Sequence, residues 1–134
     1  MTEVMERAAA LALAEGTRVE RFEDGTFAAV REIGAGTWKL FVDDSRQDQW
    51  LHLRAPLASS AGRDAGFFTG LLRRNLDLPV VSYSIDEQGM VSLRGDYSEA
   101  LFVDAEFAAF IGLAMAGLEA AVKSLSLFSQ PGGE

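Results

Sequence analysis

Four consecutive segments of strand-like alternation between Thr17 and Leu57, joined only by short turns, constrain this chain more than any other feature. Strands joined this closely must pair antiparallel, because a parallel pair needs a crossover of a dozen residues or more. Arg18 to Phe22 alternates polar and apolar residues and leads into Asp24-Gly25, a tight-turn signal. Thr26 to Ile33 forms the next run, ended by Gly34-Ala35-Gly36. In Thr37 to Val42 the side chains of Trp38, Leu40 and Val42 share one face, which leaves Phe41 on the other. The polar stretch Asp43 to Asp48 is expected to turn the chain. Gln49 to Arg54 then sets Leu51 and Leu53 against Trp50, His52 and Arg54, and Pro56 is expected to end the meander.

Helical spacing flanks these strands. Thr2 to Glu15 carries Val4, Ala8, Leu11 and Ala12 on one stripe, with Thr2 as N-cap and Gly16 as the stop. A second helix is expected from about Ser60 to Arg74, capped by Ser59 or Ser60, with Phe67, Phe68, Leu71 and Leu72 as its apolar stripe. Asn75 stands where a C-cap tolerates a left-handed residue. Val80 to Ile85 and Met90 to Arg94 read as a hairpin around Asp86-Glu87-Gln88-Gly89. The last helix, capped by Asp104, repeats Phe107, Phe110, Ile111, Ala114, Met115, Leu118, Val122 and Leu125 over about five turns. The expected fold is therefore α+β: an antiparallel meander plus hairpin packed against three helices, in the order α-β-β-β-β-α-β-β-α. Residues 1–128 form a single domain and 129–134 a frayed tail.

Composition narrows the function. With 49% apolar residues the chain can fill a core without disulfides or a metal, and it has no cysteine, which fits a reducing compartment. The N-terminus carries Glu3 and Glu6 where a signal peptide would be basic, and no run of about 20 consecutive apolar residues is evident. The expected location is the cytoplasm, without membrane contact, and the richness in Ala, Gly and Arg suggests a bacterial source. Twenty acids against twelve bases give a net charge of −8, and the longest basic run is Arg73-Arg74. Direct nucleic-acid binding is disfavoured, because phosphate contacts need clustered Lys and Arg.

Standard catalytic chemistry finds little to work with. His52 is the one histidine, set in a strand between Trp50 and Arg54, and reads as an ordinary partly exposed strand residue. One His and no Cys do not make a closed zinc site. Asp43, Asp44 and Asp48 lack the spacing of a calcium loop. Gly34-Ala35-Gly36 leads into another strand, whereas a dinucleotide fingerprint opens a helix. No cofactor or metal is expected. A carboxylate-based enzyme unrecognisable from sequence stays open, as does a sensor of small apolar ligands lined by Phe67, Phe68, Trp38 and Tyr83.

Gly62, Gly66 and Gly70 recur every four residues in the expected second helix, at a cost of about 1 kcal/mol each against alanine. They would form one smooth strip beside Phe67, packed either on the chain's own sheet or third helix, or against a partner helix. Phe41 and Trp50, which alternate off the core face, are further candidate contacts.

The run Leu71-Leu72-Arg73-Arg74-Asn75, then Leu76-Asp77-Leu78-Pro79, then the hairpin Val80 to Arg94 and a long final helix resembles the YbjN family, whose fold is similar to that of type III secretion chaperones. The resemblance spans nearly the whole chain in element order, and is most specific over residues 67–122. It implies a small, often dimeric α+β domain that binds another protein and has no established enzymatic activity. Members of the family are described as regulators or stress-related proteins, and chaperones of this fold bind extended client segments. The chain is thus expected to be a non-enzymatic, chaperone-like homodimer that holds a partner protein.

Overall fold

The computed structural model describes residues 2–14, 17–45 and 48–128. Gly16, the side chain of Leu125 and the tail 129–134, on which expectations were placed, lie outside the described residues. Helix α1 (Glu3–Ala14) starts where Thr2 accepts the Met5 N–H on its hydroxyl at 3.2 Å. Strands β1 (Arg18–Arg21), β2 (Phe27–Ile33), β3 (Gly36–Ser45) and β4 (Trp50–Ser59) follow as the antiparallel meander that alternation predicts. Helix α2 (Ala65–Arg74) crosses to β5 (Ser82–Ile85), and a hairpin whose loop ends on Gly89 at φ +81°, as a bulged loop requires, returns as β6 (Met90–Ser98). A 3-10 turn (Glu99–Leu101), absent from the sequence reading, leads into α3 (Asp104–Phe128). The sheet order is β1-β2-β3-β4-β6-β5, so β6 is inserted between β4 and the earlier strand β5.

All three helices share one core with the same sheet face. Met5, Ala8, Ala9 and Ala12 of α1, Phe67 and Leu71 of α2, and Phe107, Ile111, Met115 and Leu118 of α3 meet Phe27, Leu40, Leu53 and Leu93 of the strands. The alanines let α1 lie close to its neighbours. A 21-residue stretch of α3, Asp104–Ser124, is long and apolar enough by length and composition to cross a bilayer, although Asp104, Glu106, Glu119 and Lys123 keep it from being a run of consecutive apolar residues. Its apolarity is explained by the buried residues it presents to the sheet, interspersed with alanines on the outside.

Several boundaries differ from expectation. Asp43 to Ser45 extend β3 rather than turning, because Asp43, Asp44 and Ser45 pair with His52, Leu51 and Trp50. Strand β4 passes through Pro56: its pairing with β3 ends at Arg54, so a missing donor is tolerated, and a register shift between Pro56 and Ala58 absorbs the irregularity. Helix α2 begins at Ala65, not near Ser60. Asp64 is its N-cap, accepting the Phe67 N–H at 2.9 Å, while Ser59 accepts from Ala61 within the preceding turn. Asn75 is the C-cap, yet its backbone is right-handed at φ −59°. Its side-chain oxygen instead accepts the Tyr83 N–H at 2.6 Å, tying the end of α2 to the outer edge of β5. Asp104 is the first residue within α3 rather than its cap.

Candidate interaction surfaces

The sheet face away from the helices is open, and its cross-strand rows follow from the register. One row runs Glu20, Ala28, Phe41, Arg54, Arg94, Ser82 across all six strands. The next holds Asp43, His52 and Asp96, and another holds Ser45, Trp50 and Ser98. Phe41 and Trp50 thus share the outer face, as alternation predicts, but stand two rows apart and do not form one patch. Phe41 stacks on Phe22, ring centroids 6.0 Å apart, and Trp50 is 42% exposed. The Lys39–Glu20 ion pair, 3.1 Å, bridges from β3 to β1 over buried Ala28 and Val30. A shallow depression of about 390 Å³ on this face is lined by Phe41, Asp43, His52, Arg54 and Arg94 among others.

His52 is less ordinary than its sequence context suggests. Nδ1 lies 2.6 Å from Asp96 and Nε2 lies 3.0 Å from Asp48, so both ring nitrogens face carboxylates. Burial alone would lower its pKa; hydrogen bonds to Asp96 and Asp48, and their charges, outweigh that and raise it above 6.5. Spacing hints at Asp48, four residues away, but Asp96 arrives only through the β4–β6 pairing, which no local pattern reveals. Nearby, burial first and then Asp44 and Asp48 push the Glu99 carboxyl up. Among the described residues no group of three or more His, Asp or Glu is arranged to hold a metal ion.

The second surface is the edge formed by α2 and β5. Phe68, Leu71, Leu72 and Asn75 face Tyr83, Ser84 and Ile85 across an open apolar groove of about 290 Å³. Leu72 is 71% exposed and Leu76 88%, with Ile85 exposed beside them. Of the four aromatics expected to line a ligand pocket, Phe68 and Tyr83 border this groove. Phe67 is buried in the core beneath it, and Trp38 lies on β3 away from it.

The three-glycine strip does not form as expected. Gly62 sits in the turn before α2 at φ +76°, a left-handed conformation that glycine adopts without strain and that cannot belong to a helix. Gly66 and Gly70 do lie in α2. A Cβ at Gly66 would meet only the Asp64 carboxylate, so no sheet or helix of this chain packs there. Close backbone approach occurs at two other glycines: a Cβ on Gly95 of β6 would sit 3.0 Å from the Val80 carbonyl oxygen, and one on Gly117 of α3 2.8 Å from the Val81 side chain. Phe67 faces the core, so it supports α2 from beneath and is not exposed for contact.

No protein-family model matches the chain, and no curated protein matches it. Solved structures do. The fold is similar to that of a chain in the HopA1–SchA chaperone–effector complex, with 15% identity, 89% of each chain covered and a TM-score of 0.58. It is similar to a chain of the ExsC–ExsE complex, with 18% identity over 90% of this chain and 92% of that one, TM-score 0.53. It also resembles the structure of the Yersinia pestis type III secretion chaperone SycH with a stable fragment of YscM2, with 14% identity, 89% and 98% coverage and a TM-score of 0.52. At these identities the likeness is one of fold alone.

Proposed function

We propose that this chain is a non-enzymatic protein-binding domain, a chaperone-like or YbjN-like cytoplasmic regulator of bacterial origin that holds a partner protein and works as a homodimer. The observation that carries this reading is the likeness, over about nine-tenths of the chain, to structures of chaperones bound to other proteins. The two open surfaces divide the work. The α2–β5 edge, with Leu72, Leu76 and Ile85 exposed around an apolar groove and Gly66 and Gly70 on the same helix, serves the second copy. The outer sheet face, with Phe41 and Trp50, serves the partner. The groove is open along its length, which suits side chains of another chain better than an enclosed small ligand.

Affinity capture at near-native expression, followed by mass spectrometry, tests the central claim. The expected result is one protein recovered in stoichiometric amount, and recovery of none overturns the reading.

A further inference from the structure

Arg54 and Arg94 are direct cross-strand partners on the outer sheet face, and both are exposed. Directly opposed residues of an antiparallel pair hold their Cβ atoms about 5 Å apart, and like charges so placed are destabilising. Elsewhere Arg7, Arg18, Arg21, Arg31, Lys39 and Lys123 each meet a carboxylate. Among the described residues neither Arg54 nor Arg94 does, although acids outnumber bases by twenty to twelve. The reason is local. Asp96, two residues along from Arg94, is engaged by His52 at 2.6 Å, and Glu20, in the same row, is engaged by Lys39. Asp43, one row over, forms no ion pair with either arginine. On the opposite side the neighbouring positions are Pro56, Ser92 and Ser84, with Lys39 and Arg18 further along the row, and none of these is an acid.

Two guanidiniums side by side, with Asp96 and Glu20 turned to other cations and Asp43 lining the depression without an ion pair to either arginine, form a fork suited to one carboxylate. Beside them in the same row stands Phe41, stacked on Phe22, and the depression between them has room for a few side chains. We propose that the Arg54–Arg94 pair is an anchor for a carboxylate on a partner protein: an Asp or Glu that enters between the guanidiniums, with an adjacent apolar side chain resting on Phe41. The net charge of −8 repels a polyanion such as nucleic acid, while a single carboxylate is drawn by the local pair. This assignment rests on the protein-binding reading and adds the chemistry of the partner segment to it.

The test uses an array of ten-residue peptides in which a central Glu is flanked by Phe or Leu, with matched Gln, phosphoserine and single-stranded oligonucleotide probes. Wild-type protein and the double variant R54Q/R94Q are compared by fluorescence anisotropy, with thermal melts as the folding control. The Glu peptides are expected to bind wild type roughly tenfold or more tightly than their Gln counterparts, and R54Q/R94Q is expected to abolish that difference. The variant should melt no lower than wild type, because a like-charge contact is removed. Equal binding of Glu and Gln peptides overturns the anchor while leaving partner binding intact. Tighter binding of phosphoserine or oligonucleotide overturns the carboxylate assignment. Binding of no peptide overturns the anchor, whereas the capture experiment judges partner binding separately.

Discussion

His52 faces two aspartates, one at each ring nitrogen, and both contacts are satisfied as hydrogen bonds only when both nitrogens carry protons and donate to the carboxylates. The folded state therefore holds the imidazolium more tightly than the unfolded chain, consistent with the raised pKa. Because the folded value lies above the unfolded one, the stabilisation is fully present below about pH 6.5 and is lost as pH rises through the folded value. Melting temperature should fall across that interval in wild type, and His52→Gln should flatten this part of the profile. An NMR titration of the ring carbons should report the raised midpoint directly; a midpoint at or below the ordinary value would contradict the geometry. His52's position on the outer face of β4 is readable from alternation, but its bonding is not. The same limit hides the Arg54–Arg94 contact, since local patterning says which face a side chain takes and not which residue sits opposite it in a distant strand.

At the scale of elements, one side chain ties the end of α2 to the edge of β5 by a hydrogen bond. Asn75 closes the helix and also supplies the acceptor for an edge N–H of Tyr83 that has no strand beside it. Asn75→Ala should cost about 1–3 kcal/mol by leaving that partly buried donor unpaired, measured by denaturant unfolding. Asn75→Asp, which keeps an acceptor oxygen, should recover much of the loss. Element types were legible because their patterns differ: alternation marks β3 and β4, a short apolar run bounded by turn residues marks β2, and the 3.6-residue repeat marks α3. Boundaries were not legible where a strong local signal met a tertiary one. Pro56 reads as a strand end, yet pairing with β6 carries β4 three residues past it. The glycine repeat reads as a helical strip, yet Asp64 offers a better cap and leaves Gly62 outside.

For the whole molecule, the exposed apolar edge at Leu72, Leu76 and Ile85 is the part hardest to leave in water. Light scattering should give a species of twice the 14.5 kDa chain mass, and Leu72→Arg with Ile85→Arg should halve it while leaving the far-ultraviolet circular dichroism unchanged. A monomeric wild type would remove the second copy from the proposal. The outer face, on the opposite side of the sheet from all three helices, should be unaffected by those changes, so peptide binding there should persist in the monomer.

The placement of β6 between β4 and β5 has a consequence for the nascent chain. Strands cannot join the sheet in the order in which the ribosome delivers them, because β5 emerges before the strand that connects it to β4. From residue 59 until residue 98 has been made, β4 keeps an unpaired edge with Leu51, Leu53 and Ala55 uncovered on one face. Such an edge is a template for pairing with any other extended chain. During synthesis, the edge of β4 therefore stays open to such pairing until β6 is complete.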